Sequence, residues 1–187
     1  MSHGPVEILG SPVLRVSCHE VGFPLSGGAL DAIDHLRTAL SICRADLGFG
    51  RGIAAPQVGS PLRIVHTHLD RPRTLINPKI VGNSEEKFRL WDDCLSLPDL
   101  LTWVERFETI EVEYLDPEGC LHRWIAEGDP AELLQHEIDH LDGILMIDRA
   151  FGPNAVYARE EYRRQLHTDP DLRDRGPAVG PGEIRVQ

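Results

Sequence analysis

The sequence predicts an α+β fold for this chain of 187 residues. Two observations favour this class: helical patterns near both ends of the main part of the chain, and β-branched segments bounded by turn residues between them. A third is a hairpin signal that joins two of the strand-like segments. At this length, and with 41% hydrophobic residues, we expect one core and one active site.

The first predicted element is a helix between Ala29 and Leu47. Apolar residues recur there at steps of three and four, which places them on one helical face: Leu30, Ile33, Leu36, Leu40, Cys43 and Leu47. The glycine-rich segment GFGRG follows this helix. We expect the helix to serve the packing of the core and nothing more.

Strands are predicted next, from β-branched residues between turn signals at Arg63 to Leu69, Leu75 to Val81 and Ile110 to Tyr114. The segment DPEG at residues 116–119 has proline and glycine where a tight turn requires them. It predicts a hairpin between the strand before it and a further strand at Leu121 to Ile125.

A second strong helix is predicted to begin at Asp129. With Asp129 at the N-cap, Pro130 at the first helical position and Glu132 at the third, the residues form a capping-box pattern. We expect the helix to reach residues 140–141, because Gly143 then ends it.

Composition limits the classes of partner, such as nucleic acids and membranes, that this protein is expected to bind. A formal net charge of -11 argues against nucleic-acid binding, which requires clustered lysine and arginine. The first residues carry no basic region followed by an apolar stretch, and no apolar run is long enough to span a bilayer. We therefore expect a cytoplasmic protein that does not associate with membranes. Reduced thiols are expected for the four cysteines, which form no C-x-x-C pair: Cys18, Cys43, Cys94 and Cys120.

The segment HEIDH at residues 136–140 matches H-E-x-x-H on the second predicted helix. Histidines four residues apart lie on one helical face and can bind a single metal ion. Glu137 can reach a water at that ion and serve as a general base and then as an acid. A pattern that specifies only three residues also arises by chance, so the third ligand must decide.

Three sources of a third ligand are considered. Met146 occupies the position where the longer motif H-E-x-x-H-x-x-G-x-x-H requires a histidine, which excludes that motif. A zinc protease with a distal glutamate could use Glu160 or Glu161. Cys94 offers a thiolate, and one thiolate with two imidazoles makes a tetrahedral catalytic site with an open fourth position.

Three motifs in series resemble those of peptide deformylases, which are G-x-G-x-A-A-x-Q, E-G-C-L-S and Q-H-E-x-D-H. Here they read GRGIAAPQ at residues 50–57, DDCLS at residues 92–96 and QHEIDH at residues 135–140, in the same order and at similar spacing. The resemblance implies that family's fold, in which antiparallel sheets surround the central helix that carries H-E-x-x-H.

The resemblance covers about residues 5–150, from before SPVLR to HLDG and a little beyond. We therefore assign residues 1–150 to the catalytic domain. Residues 151–187 are expected to belong to the same domain, with a weaker helix at residues 158–166 and an extended or poorly ordered tail.

The resemblance also implies the chemistry. One divalent ion is expected, ferrous iron first and zinc or nickel as alternatives, on the ligands Cys94, His136 and His140. Glu137 is implied as the base, and the Gln57 side-chain amide and the Leu95 backbone N–H as donors to the developing negative oxygen. The implied reaction removes the formyl group from N-formylmethionine of nascent polypeptides and releases formate.

The second motif departs from the family pattern. Asp92 and Asp93 replace its glutamate and glycine. In the family the glutamate pairs with an arginine, and Arg106 stands at the corresponding position, so an ion pair between Asp92 and Arg106 is predicted. Asp93 adjoins the implied ligand Cys94 and is expected to line the substrate pocket.

Further departures concern the substrate. Arg51 stands between Gly50 and Gly52, where the family places an apolar residue, and Asp129 also replaces a residue that is often apolar. The two glycines are expected to let the loop run beside the substrate backbone. Either Arg51 points to solvent and Asp129 is only a helix cap, or both make the pocket polar. Leu101 replaces an arginine that binds substrate in some members.

Three functions remain open: deformylation of nascent chains, deformylation of a polar formamide in a specialised pathway, and a degenerate metal-binding relative or zinc protease. Intact Gln57, Leu95 and Glu137 disfavour a non-catalytic protein. The expected substrate is an N-formylated peptide or a small formamide, and the chain is expected to be a monomer or a weak dimer.

Overall fold

The computed structural model describes residues 6–176. Within these residues, two antiparallel sheets and four α-helices make up an α+β fold, and the prediction of this class is confirmed. The helices are α1 (Gly27–Leu47), α2 (Asp129–Leu141), α3 (Arg159–Leu166) and α4 (Leu172–Arg175). The strands are β1 (Gly52–Ala54), β2 (Ile64–His68), β3 (Pro72–Asn83), β4 (Lys87–Asp92), β5 (Leu100–Phe107), β6 (Thr109–Leu115), β7 (Leu121–Glu127) and β8 (Val156–Ala158). Short 3-10 helices span Pro12–Arg15, Ala55–Val58 and Met146–Arg149.

Helix α1 confirms the first predicted helix. The Ser26 hydroxyl accepts a hydrogen bond from the Ala29 N–H at its start, and Gly48 ends it in the left-handed region at a φ of 75°. The buried face is turned slightly from the predicted one, since Leu30 and Leu47 are exposed. Small residues take their place in the core: Ala29, Ala32 and Ala39.

The five-stranded sheet has the order β1-β2-β3-β6-β7, and the three-stranded sheet has the order β4-β5-β8. Strand β1 lies at an edge of the larger sheet, where it pairs with β2. The predicted hairpin is confirmed, because β6 and β7 pair along their length and the Gly119 N–H donates to the Asp116 carbonyl. Gly119 has a φ of 86°, the conformation for which this turn uses glycine.

Helix α2 lies between the sheets and contacts β1, β5 and β7. Its apolar side chains pack into a buried cluster with residues of the larger sheet, among them Ala131, Leu134, Ile138 and Leu141. The opposite helix α1 packs on β1 and β2 with a second cluster. One face of α2 therefore lies against β1 and the segment that follows β4.

The start of α2 differs from the prediction. Gly128, at a φ of 62°, is the N-cap. Asp129 is the first helical residue, and its side chain makes no capping hydrogen bond. The helix begins one residue early because the Gly128 carbonyl accepts from the Glu132 N–H at 2.9 Å. The predicted capping box is therefore wrong, and the Glu132 carboxylate bonds to Arg51 instead. The predicted end is confirmed, with Gly143 at a φ of 74° just beyond Leu141.

Strands β4 and β5 were not predicted as a pair, because charged residues interrupt their apolar pattern. They pair over six positions, from Lys87 opposite Phe107 to Asp92 opposite Thr102. Helix α3 confirms the weaker helical pattern. The described part of the predicted tail contains α4, whose Leu172 carbonyl accepts a hydrogen bond from the Trp91 side chain. The rest of that tail lies outside the described residues.

The four cysteines carry free thiols; Cys18, Cys43 and Cys94 are buried and Cys120 is exposed. Among residues 6–176, none of the helices combines the length and the apolar character that crossing a membrane requires.

Candidate metal centre and substrate cavity

A cavity of about 580 Å³ opens between β1, the amino-terminal half of α2 and the segment after β4. Its apolar wall includes Phe49, Leu69, Leu95 and Leu133. Its polar wall contains Gln57, Asp93, Cys94, Glu132, His136 and Glu137. Residues from distant parts of the chain therefore meet around one space that is large enough for a small peptide segment.

Three potential metal donors gather beside this cavity, and two of them, Cys94 and His136, line it. Helix α2 places His136 and His140 one turn apart, and Cys94 follows the end of β4. Their donor atoms lie within 4.8 Å of one another, and Cys94 Sγ lies 3.2 Å from His140 Nε2. All three side chains are buried.

The residues fit a divalent transition-metal ion. One thiol and two imidazoles are donors that such ions prefer, and the cavity leaves space on one side of them. The neighbouring Glu137 Oε2 is buried without a hydrogen-bond partner among the described residues. An unpaired buried carboxylate oxygen is costly, so this atom fits a site that takes up an ion and its water.

Asp92 holds the His136 ring through a hydrogen bond to its Nδ1 atom. Its carboxylate accepts hydrogen bonds from His136 Nδ1 at 3.0 Å and from Arg106 Nη2 at 3.1 Å. Burial opposes the charged forms, but the pairing lowers the pKa of Asp92 and raises that of His136 well above its usual value. With Nδ1 held by Asp92, the Nε2 atom of His136 is the ring nitrogen left for an ion.

Arg106 connects this support to the rest of α2. The guanidinium donates to Asp139 Oδ2 at 2.5 Å as well as to Asp92, and Arg149 bonds to the same Asp139 carboxylate at 2.6 Å. Arg106 and Asp92 are 4% and 3% exposed, so both charges depend on these partners. Burial and the positive charge of His136 lower the pKa of His140 well below its usual value.

Glu137 is enclosed against β1. Burial raises the pKa of its carboxyl to about 7, with His136 and Arg51 opposing this rise and Glu132 and Asp92 adding to it. A Cβ atom at Gly52 would lie 2.6 Å from Glu137 Oε1, so the close approach of strand and helix requires glycine. A carboxyl with a pKa near neutrality is suited to both accepting and giving a proton.

Gln57 points its amide at the same centre. Its Oε1 atom accepts from the Ala54 N–H at 2.8 Å, which orients the side chain. Its Nε2 atom then donates to Ser96 Oγ at 3.1 Å and lies 3.6 Å from Cys94 Sγ. Leu95, buried next to Cys94, lines the cavity.

The predicted substrate-binding residues are only partly brought together. Gly50, Arg51, Gly52 and Asp93 line the cavity. Asp129 is exposed and is not among the residues that line the cavity, so its part in substrate binding stays a prediction. Its backbone carbonyl accepts a hydrogen bond from Arg51 at 3.5 Å.

Sequence reasoning missed Glu132 as a cavity residue. Its side chain is almost fully buried and its Oε2 atom lies 2.5 Å from Arg51 Nη2. Burial raises the pKa of Glu132 and nearby Asp92 adds to this, while Arg51 opposes it. The position of Glu132 one turn before His136 on the same helical face is the signal that could have indicated it.

One further residue, Arg159, contacts the cavity wall from outside the predicted motifs. Arg159 at the start of α3 donates to Asp93 Oδ2 at 3.2 Å and to the Pro98 carbonyl at 2.6 Å, and its guanidinium lies 4.4 Å from the centre of the Phe49 ring. Glu160 and Glu161, the alternative metal ligands, do not line the cavity, and Glu161 pairs with Arg164.

Donors on one side of a space and a buried proton-transferring carboxylate on the other are typical of metal-dependent hydrolases. This is the class of protein that the fold and the cavity define. A family model described as "Polypeptide deformylase" matches residues 4–155. Peptide deformylase 2 of Nostoc sp. is 36% identical over 170 residues, which are 85% of this chain and 92% of that protein. Peptide deformylase of Rhizobium meliloti is 41% identical over 155 residues, 79% of this chain and 85% of that protein.

Solved structures agree. A Met-Ala-Ser-bound class I type b peptide deformylase from Acinetobacter baumannii matches with a TM-score of 0.71 and 29% identity, covering 78% of this chain and 97% of that one. Peptide deformylase from Thermotoga maritima matches with a TM-score of 0.70 and 30% identity, covering 79% and 97%. The chain belongs to the peptide deformylase family.

Proposed function

We propose that this chain removes the formyl group from N-formylmethionine at the start of nascent polypeptides and releases formate. The observation that carries the proposal is the cluster of three donors, Cys94, His136 and His140, beside a cavity whose wall also contains Glu137 and Gln57. Membership of the family supports it, as does the relative from Acinetobacter baumannii whose structure holds Met-Ala-Ser.

One divalent ion on the three donors belongs to this proposal, with ferrous iron as the natural metal and zinc or nickel as ions that the same donors accept. When bound, the ion supplies a Lewis acid and makes hydroxide available near neutral pH. Asp92 keeps His136 oriented toward it through the hydrogen bond to Nδ1. The predicted ion pair with Arg106 in turn holds Asp92 in place.

Glu137 moves the protons in the proposed reaction. Its carboxylate takes a proton from the attacking water as the new C–O bond forms, and passes it to the amine nitrogen as the C–N bond breaks. Formate and a free amine are the products. The Gln57 Nε2 and Leu95 N–H groups donate to the formyl oxygen while it carries negative charge.

The substrate backbone would lie beside β1. This strand is an edge of the larger sheet, and Gly50 and Gly52 bring its backbone to the cavity wall. An extended peptide can add to such an edge through main-chain hydrogen bonds. Arg51 and Asp93 then face the substrate, and the alternative substrate, a polar formamide of a specialised pathway, is favoured by the charge that Arg51 brings to the cavity.

The proposal extends to the setting of the enzyme. Residues 1–150 are the catalytic domain and residues 151–187 belong to it, which the contacts of Arg159 with Asp93 support. The enzyme acts in the cytoplasm as a monomer or weak dimer and contributes no nucleic-acid-binding surface of its own.

Formate release from formyl-Met-Ala by protein purified anaerobically with ferrous iron tests the proposal, with Glu137→Ala as the blank. We expect kcat/KM above about 10⁴ M⁻¹s⁻¹, an ordinary enzyme efficiency. No formate release from this peptide, together with turnover of a polar formamide, would favour the specialised substrate. If the metal-loaded protein releases formate from none of the formamides, deformylation is contradicted altogether.

A further inference from the structure

The cavity wall contains an ion pair between two elements that are far apart in the sequence. Arg51, just before β1, donates to Glu132 on α2 across 2.5 Å. The Glu132 side chain is 3% exposed, whereas that of Arg51 is 41% exposed. The carboxylate therefore lies inside the wall and the guanidinium reaches from it into the open part of the cavity.

The pair lies close to the proposed reaction centre. A carboxylate oxygen of Glu132 is within 4.8 Å of a ring nitrogen of His136 and of an Asp92 oxygen. A substrate whose formyl group reaches Cys94 and His136 must therefore place its neighbouring groups beside Glu132. The side chain that follows the formyl group is the part of a peptide close enough to meet it.

Two other charged groups of the wall, Arg44 and Asp93, are each held by a partner of their own. Arg44 donates to the backbone carbonyls of Gly50 and His68, and Asp93 accepts from Arg159. Arg51 and Glu132 are instead paired with each other through one nitrogen and one oxygen, and Arg51 Nη1 makes one further, long hydrogen bond of 3.5 Å to the Asp129 carbonyl. Their remaining donors and acceptor can turn to a ligand while the pair as a whole stays neutral.

We propose that Arg51 and Glu132 determine specificity for the first side chain of the substrate, and that the pair admits an uncharged, dipolar side chain such as a carboxamide beside methionine. A carboxamide has one acceptor for Arg51 and donors for Glu132. An acidic or a basic side chain meets one like charge in either orientation and is disfavoured. The inference rests on the proposed deformylase function.

The test uses four formylated dipeptides that differ in the first residue: formyl-Met-Ala, formyl-Gln-Ala, formyl-Glu-Ala and formyl-Lys-Ala. The metal-loaded wild type is expected to turn over the glutamine peptide within about tenfold of the methionine peptide, and the two charged peptides less efficiently than both. Glu132→Gln leaves the Arg51 charge uncompensated, and Arg51→Gln leaves that of Glu132.

The measured quantity is the ratio of kcat/KM for the glutamate peptide over the lysine peptide. Glu132→Gln should raise this ratio about tenfold or more, and Arg51→Gln should lower it by a similar factor, since each exposes one sign of charge. Effects on metal loading apply equally to both peptides and cancel in the ratio. Arg164→Gln, which breaks an exposed ion pair with Glu161 outside the cavity, is the control and should leave the ratio unchanged.

Ratios that stay within about threefold of wild type in both cavity variants, or that move in the same direction, overturn the inference while leaving deformylation intact. A wild type that rejects the glutamine peptide as strongly as the charged ones also overturns it. Release of formate from none of the four peptides overturns the deformylase proposal itself, and the inference with it.

Discussion

Replacing Asp92 by asparagine removes one negative charge from between His136 and Arg106. The Asp92 carboxylate accepts from His136 Nδ1 at 3.0 Å and from Arg106 Nη2 at 3.1 Å, and it is 3% exposed. Hydrogen bonds to charged groups contribute about 1.5–3 kcal/mol each. Asparagine keeps the shape and one acceptor oxygen, so we expect a loss of one such bond, about 2 kcal/mol.

This loss should appear in metal affinity. A loss of about 2 kcal/mol corresponds to a factor of about 30, inside the range of 10–100-fold that outer partners of ligating histidines contribute. The assay is a zinc titration against a chromogenic chelator at pH 7, with urea unfolding of the metal-free protein beside it. We expect Asp92→Asn to raise the zinc Kd by about 10–100-fold.

Asp139→Asn is the matched control. Asp139 accepts from the same Arg106 at 2.5 Å and from Arg149 at 2.6 Å, but its carboxylate makes no hydrogen bond to His136. It should lower the free energy of unfolding by a similar amount and leave the zinc Kd within about threefold of wild type. An equal rise of the Kd in both variants, or none in Asp92→Asn, would refute the reasoning, because Asp92 would then act only through folding.

Three further predictions concern the cavity. Gly52→Ala should lower kcat by at least about tenfold with metal still bound, because the added Cβ would lie 2.6 Å from Glu137 Oε1. Gly28→Ala, whose added Cβ meets no atom of the described residues within 4 Å, should leave kcat unchanged. In metal-free protein the raised pKa of Glu137, about 7, means that stability is lost as pH rises from about 4.5 through 7, so Glu137→Gln should be more stable than wild type by about 3 kcal/mol at pH 8 and nearly equal at pH 4 in urea unfolding. A difference that does not depend on pH would contradict this. Arg159→Ala should raise KM for formyl-Met-Ala by about tenfold, since it frees the cavity rim, whereas Arg163→Ala on the exposed side of α3 should not; equal KM values would show that the rim does not touch substrate.

Local patterns in the sequence determined much of this protein. The spacing of His136 and His140 assigns both to one helical face, because helical periodicity relates residues one turn apart without reference to the rest of the chain. The hairpin turn at residues 116–119 is also local, because the proline and glycine of the turn favour its backbone conformation without help from the rest of the chain. The end of α2 before Gly143 is also a local matter of backbone conformation.

Apart from the Asp92–Arg106 pair, which the resemblance implied, the contacts of charged residues across the fold could be known only from the tertiary structure. The sequence suggested a capping role for Glu132, yet its carboxylate meets Arg51, 81 residues earlier in the chain. Asp139 meets Arg106 across 33 residues, and Arg159 reaches back 66 residues to Asp93. Such pairs depend on how the sheets and α2 pack, and no short segment of sequence contains that information. The residues that offer metal-binding atoms could therefore be recognised from local motifs, whereas these ion pairs around them could not.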